Sequence, residues 1–131
     1  MGYDLCRKED SISVSLFTWI RAYALAIEGR WEPDGTLAPA HWQRKFGSWP
    51  GTYDSNDGQR VSAGDASKMA AALESMLPAL DPNKAYDRDN SDPTLLWGTL
   101  VGTIPYFSDP GKREILEALI KFLKGGEFEI N

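Results

Sequence analysis

Hydrophobic residues recur at helical spacing over residues 12–28, and this stretch organises the prediction for the whole chain. Further apolar residues occupy most of the remaining circumference of this helix, so it needs cover on most sides and is predicted to lie at the centre of the domain. Ser11 or Ser13 is the expected N-cap, and Gly29 is the expected stop. The predicted buried stripe consists of Ile12, Leu16, Ile20, Tyr23 and Ile27.

Three further helices are predicted over residues 62–77, 92–104 and 109–124. Each begins with a residue that commonly caps helices, and proline follows the cap in the second and the third. Apolar residues recur every three or four positions in all three, which gives each helix one face to bury. In the first of them, Asp65 takes the place of the usual glutamate in a capping box that starts at Ser62.

Short strands are predicted at both ends of the chain, because residues 2–6 and 127–130 alternate apolar and polar side chains. A lone strand is not stable, so the two are expected to pair with each other. The predicted fold class is therefore mainly α, or α+β with a minor sheet. It has about four helices around the central apolar helix 12–28, within a single globular domain over residues 1–131.

Residues 31–60 form the least regular part of the chain and contain three of the five tryptophans. A connection of this length in a compact domain needs packing of its own. Its aromatic side chains are therefore expected either to anchor the segment over the central helix or to line a groove for a partner or a cation. The candidate binding residues are Trp31, Trp42, Trp49, Tyr53, Asp54, Asn56, Asp57 and Arg60.

Three strings resemble a pattern in a group of small uncharacterised bacterial proteins: W-E-P-D-G-T from Trp31, Y-D-S-N-D-G-Q-R-V-S-A-G-D-A from Tyr53, and G-G-E-F-E-I from Gly125. The second is the most specific, and its Gly58 is expected to supply the positive φ of a tight turn that a short hairpin flanks. The resemblance implies a bacterial cytoplasmic source and no catalytic residues. It also favours the turn over residues 55–60 as a candidate site.

Charge and cysteine content bear mainly on the kind of partner. The formal net charge of −5 argues against nucleic-acid binding and favours a basic protein partner.

The apolar run near the N-terminus is interrupted by Arg21 and is too short for a membrane span. Cys6 is the only cysteine, which fits the cytoplasm. A homodimer would use the edge of the terminal sheet or a close approach at Gly98 and Gly102.

Groups that could support catalysis are sparse. His41 is the only histidine, no nucleophile elbow is present, and no paired histidines or cysteines have the spacing of a zinc site. No cofactor, metal or catalytic residue is therefore predicted. The leading hypothesis is a non-enzymatic protein-binding module that neutralises a basic partner. The alternatives are a small-molecule or cation binder with an aromatic pocket from residues 31–53, and a hydrolase-like enzyme that uses His41.

Overall fold

The computed structural model describes residues 2–35, 53, 58–84 and 103–131. Helices pack on one side of a small antiparallel sheet. The strands are β1 (Gly2–Cys6), β2 (Ser11–Ser15), β3 (Gln59–Val61) and β4 (Phe128–Ile130). The α-helices are α1 (Leu16–Glu28), α2 (Ala63–Met76), α3 (Thr103–Ser108) and α4 (Pro110–Leu123), with short 3-10 turns at Leu77–Ala79 and Pro82–Lys84.

The two terminal strands lie side by side in the middle of the sheet, whose order is β2-β1-β4-β3. Leu5 pairs with Ile130, which confirms that the ends of the chain meet. Gly58 has a φ of 89°, as predicted for the turn that precedes β3. The strand that follows Gly58, β3, pairs with β4. The rest of the predicted turn lies outside the described residues.

The junction between the first hairpin and α1 differs from the prediction. Residues 12–15 belong to β2 and α1 begins at Leu16, so the helix predicted over 12–28 is wrong for its first four residues. Serine alternates there with isoleucine and valine, and this two-residue period suits a strand that pairs with β1. Ser15, rather than an earlier serine, caps the helix by accepting from the Thr18 backbone N–H at 3.0 Å.

The helices α2 and α4 start at the predicted signals. The Ser62 hydroxyl caps α2 by accepting from the Asp65 backbone N–H at 3.1 Å. The Asp109 carboxylate caps α4 by accepting from the Lys112 backbone N–H at 3.1 Å. Most of the helix predicted over residues 92–104 lies outside the described residues. The structure instead describes the six-residue helix α3, which was not predicted as a separate element.

Arg7 joins the β1–β2 turn to the end of α4. Its guanidinium donates to the carbonyl oxygen of Phe122 and lies 3.9 Å from the centre of the Phe122 ring. Its Nε is 3.3 Å from the Asp10 carboxylate, and only 8% of the side chain is exposed. A Cβ at Gly125 would collide with this guanidinium, so glycine leaves the space that the cation needs at the negative end of the helix dipole.

The end of α1 needs a glycine and a left-handed residue at adjacent positions. The Trp31 backbone N–H bonds to the Ala26 carbonyl at 2.9 Å, and Arg30 between them has a φ of 70°. This conformation costs a residue with a Cβ about 1 kcal/mol. Gly29 is needed for another reason, because a Cβ there would lie 2.6 Å from the carbonyl oxygen of Ala72 on α2. The predicted stop residue therefore serves helix packing, and the strain falls on Arg30.

Replacing Arg30 with glycine should stabilise the protein, because glycine adopts a positive φ without the clash of a Cβ. We expect Arg30→Gly to raise the free energy of unfolding by about 1 kcal/mol in urea titrations. Gly29→Ala should lower it, since α1 and α2 must separate. Arg30→Ala is the control: if it stabilises as much as glycine does, the arginine side chain and not the backbone conformation is responsible.

Candidate protein-binding surface

Two predicted binding residues, Trp31 and Tyr53, are buried in the core. Their rings stack with centroids 5.8 Å apart, and Tyr23 of α1 meets the Trp31 ring edge-on at 5.3 Å. The Trp19 indole N–H also donates to the Tyr53 carbonyl at 2.7 Å. Because these aromatic surfaces face one another, they anchor the connecting segment to α1 and present no open cage to a ligand.

The carboxylate of Asp65 collects the groups that surround these rings. It is fully buried and accepts from the backbone N–H groups of Asp34 at 2.9 Å and Gly35 at 3.1 Å. The Tyr53 hydroxyl also donates to it, and the hydroxyl oxygen lies 2.7 Å from the Gly35 carbonyl oxygen. The Asp65 backbone carbonyl accepts from the Trp31 indole at 3.2 Å. Beyond the predicted capping box, Asp65 therefore fixes two separate segments, residues 31–35 and residue 53, at the start of α2.

This environment perturbs the hydroxyl of Tyr53. Burial, followed by the hydrogen bond to Asp65 and the negative charge of that carboxylate, raises the pKa of Tyr53 well above its usual range. The phenol therefore stays protonated and keeps donating its hydrogen bond at physiological pH. In the folded chain the phenol therefore supplies one of the donors that a buried carboxylate needs.

Arg60 lies on the outer face of the sheet, within a cross-strand row. It is in register with Glu129, which is in register with Cys6. The row borders a groove of about 420 Å³. The charged residues that line this groove are Arg7, Lys8, Glu9, Arg60, Glu127 and Glu129. Bases and acids are balanced, so the groove has no preference for ligands of one charge.

The other predicted site residues lie outside the described part of the chain. They are Trp42, Trp49, Asp54, Asn56 and Asp57, together with His41. Of the three predicted site residues that the structure describes, Trp31 and Tyr53 lie together, whereas Arg60 lies on the opposite face of the sheet.

An uncovered apolar surface lies on α1. Among the described residues, three of the four exposed large hydrophobic side chains belong to this helix: Phe17 is 61% exposed, Ile27 46% and Ile20 40%. Half-buried apolar side chains continue the surface on either side. We call this surface the α1 face, and it comprises Leu16, Phe17, Ile20, Tyr23, Ala24 and Ile27.

The orientation of α1 is the second correction to the predicted helix. The face that packs against the other helices consists of Thr18, Trp19, Arg21, Ala22, Leu25 and Ala26. Two members of the predicted buried stripe, Ile20 and Ile27, are exposed instead. Both sides of α1 are apolar, so the periodicity could not distinguish them. The small alanines permit a close approach to α2, which favours burial of their side.

The α1 face carries little charge. Glu28 stands at its edge, and its carboxylate accepts from the Thr103 hydroxyl at 2.8 Å. All six members of the face itself are uncharged, and the only polar group among them is the hydroxyl of Tyr23. The chain as a whole carries a net charge of −5, so this uncharged apolar face differs from the rest of the surface.

The fold is an α+β arrangement of helices on a four-stranded antiparallel sheet. No cluster of three or more potential metal-binding side chains occurs in the described ranges, and none of the helices described there is long and apolar enough to cross a membrane. Searches against family models, curated proteins and solved structures found no match to this chain. The resemblance of the turn motif to bacterial proteins therefore stays a prediction.

Sequence reasoning missed two features of this region. Asp65 was assigned to a capping box, although aspartate has a shorter side chain than the usual glutamate, and this substitution was the available signal for another role. The α1 face is the second feature. The predicted stripe places Ile20 and Ile27 in the core, and no local signal opposes this prediction, because apolar residues occupy both sides of the helix.

Removing the Tyr53 hydroxyl should destabilise the protein most near neutral pH. Tyr53→Phe takes a donor from a buried carboxylate, so we expect a loss of about 1–3 kcal/mol in the free energy of unfolding at pH 7. The tyrosine pKa is higher in the folded than in the unfolded chain. Its stabilising contribution is therefore complete below about pH 10, where unfolded tyrosine starts to ionise, and declines above that pH.

Urea unfolding at pH 7 and near pH 11 tests this, with the stability difference between wild type and Tyr53→Phe expected to narrow at the higher pH. Tyr106→Phe is the matched control, because it removes a hydroxyl whose hydrogen-bond partner in the described part of the chain is the Thr18 hydroxyl, 2.8 Å away, and not a carboxylate. At pH 7, Tyr106→Phe should lower the free energy of unfolding by less than Tyr53→Phe does. If Tyr53→Phe lowers the free energy of unfolding equally at both pH values, the hydrogen bond from the protonated Tyr53 hydroxyl to Asp65 is not the source of the stability.

Proposed function

We propose that this chain is a non-enzymatic protein-binding module and that the α1 face is its contact surface. The observation that carries the proposal is the exposure of Phe17, Ile20 and Ile27 along one side of a helix. The largest contiguous apolar patch on the surface of a protein is often functional, and exposed apolar patches with a polar rim commonly mark interaction sites.

The shape of the surface supports recognition by another protein. Phe17, Ile20, Ala24 and Ile27 follow one another at intervals of three, four and three residues, which aligns them as a ridge along α1. Helices that bind protein grooves or other helices present their anchoring side chains at this spacing. A convex ridge is also a poor receptacle for a small molecule, which needs a concave site.

The net charge of −5 favours a basic partner, as in proteins that neutralise toxins, and this is a separate part of the proposal. Attraction over distance would act wherever such a partner binds, and it would weaken as salt screens the charges. A cytoplasmic location belongs to the same proposal and rests on the single cysteine.

The two alternative functions have less support. The aromatic pocket for a small molecule or cation would need open ring faces, whereas Trp31 and Tyr53 are buried against each other. The hydrolase-like enzyme depends on His41, which lies outside the described residues. Neither alternative draws on the exposed surface of α1.

The test is protein capture by the immobilised wild-type chain and by two matched variants. Ile20→Lys places a charge on the α1 face, and Ile115→Lys makes the same change at an isoleucine of similar exposure on α4, 37% against 40%. We expect wild type and Ile115→Lys to retain the same protein from a bacterial lysate and Ile20→Lys to lose about 90% of it, because a buried lysine costs binding free energy.

Circular dichroism of both variants confirms that each is folded. Equal retention of the captured protein by both lysine variants would refute the α1 face as the contact surface. Repeating the capture at low and high salt tests the basic partner separately, since retention that does not change with ionic strength would remove the electrostatic part of the proposal.

A further inference from the structure

We propose that the occupant of the α1 face is a second copy of this chain, with the two α1 helices packed antiparallel about a two-fold axis. This inference rests on the proposed function, because it names the partner at the same surface. Three properties of the α1 face support this dimer: its lack of charge, the spacing of its apolar side chains along the helix, and its exposed apolar area.

Charge favours a copy over an oppositely charged partner at this surface. Two copies each carry a net charge of −5 and repel each other, so a contact between them is least unfavourable where the surface itself is neutral. The α1 face is neutral at its centre, and Glu28 at its edge already accepts a hydrogen bond from Thr103. A surface that selects a basic protein would instead present several carboxylates at the contact.

The spacing of the ridge is self-complementary. The intervals of three, four and three residues read the same in both directions from the midpoint of the ridge. In an antiparallel pair, Phe17 meets the partner's Ile27, and Ile20 meets the partner's Ala24. A branched side chain then faces a small one near the axis, which lets the helices approach closely, as in the seam of a coiled coil. A two-fold axis repeats each contact, so both copies bury the same residues.

The area is sufficient for a dimer of modest affinity. An aromatic side chain has roughly 150–250 Å² to bury, so Phe17 at 61% exposure leaves on the order of 100 Å² in water. The six side chains of the face together leave roughly 400 Å² of apolar surface exposed. Because homodimer interfaces are about 65% apolar, this corresponds to roughly 1,200 Å² for the pair, the lower limit of a stable interface.

The dimer sites suggested by the sequence are less suitable. Gly98 and Gly102 lie outside the described residues. The edge strands of the sheet are β2 and β3. The first has serine at every second position and the second has three residues, so neither offers a long apolar edge for strand addition.

Sedimentation velocity over roughly 1–500 µM protein tests the inference, since an interface of this size should dissociate within that range. We expect wild type and Ile115→Lys to shift from monomer to dimer with concentration. Ile20→Lys should remain a monomer, with self-association weakened by at least about tenfold. Wild type that stays monomeric throughout, or a dimer that persists in Ile20→Lys, would overturn the inference.

Disulfide trapping tests the antiparallel arrangement. In a Cys6→Ser background, a mixture of Ile20→Cys and Ala24→Cys chains should form a crossed dimer on oxidation in higher yield than either variant alone. Predominant dimers of Ile20→Cys with itself would indicate parallel helices and overturn the arrangement.

These results separate the inference from the proposed function. A monomeric chain that captures another protein in an Ile20-dependent manner would refute the dimer and leave the protein-binding function standing. A monomeric chain whose captured proteins are unaffected by Ile20→Lys would refute both.

Discussion

The buried carboxylate of Asp65 is the interaction on which the arrangement of this molecule depends. It accepts from the backbone of Asp34 and Gly35 and from the hydroxyl of Tyr53. A buried carboxylate without its donors costs several kcal/mol, so these segments have to assemble around it together. The negative charge also lies in the first turn of α2, where the helix dipole stabilises it. The segment after α1, residue 53 and the start of α2 are thereby held in one place.

This assembly decides which side of α1 is covered. Trp31 and Tyr53, fixed by Asp65, pack beside α1, and the close contact of Gly29 with Ala72 brings α2 against the same helix. The alanines of α1 turn toward these neighbours. The larger apolar residues Phe17, Ile20 and Ile27 are left on the opposite side, facing water. The candidate binding surface is thus a consequence of how the core closes.

Sequence reasoning was most reliable where the signal is local. The caps at Ser62 and Asp109 and the positive φ of Gly58 follow from the chemistry of a few adjacent residues. It failed at residues 12–15, where an apolar pattern suits a helix or a strand, and pairing with β1 decided for the strand. The candidate site was harder still, because tryptophan and tyrosine are equally typical of cores and of binding surfaces.

The sequence by itself therefore determined the starts of α2 and α4, the positive φ of Gly58, the pairing of the two terminal strands and the class of fold, since these follow from periodicity, capping and turn chemistry over short stretches. Only the tertiary structure decided that Asp65 serves as a buried anchor, that Trp31 and Tyr53 belong to the core, and which face of α1 meets water. Each of these depends on contacts between residues far apart in the chain. A helix that is apolar on both sides carries no local information about which side its neighbours will cover.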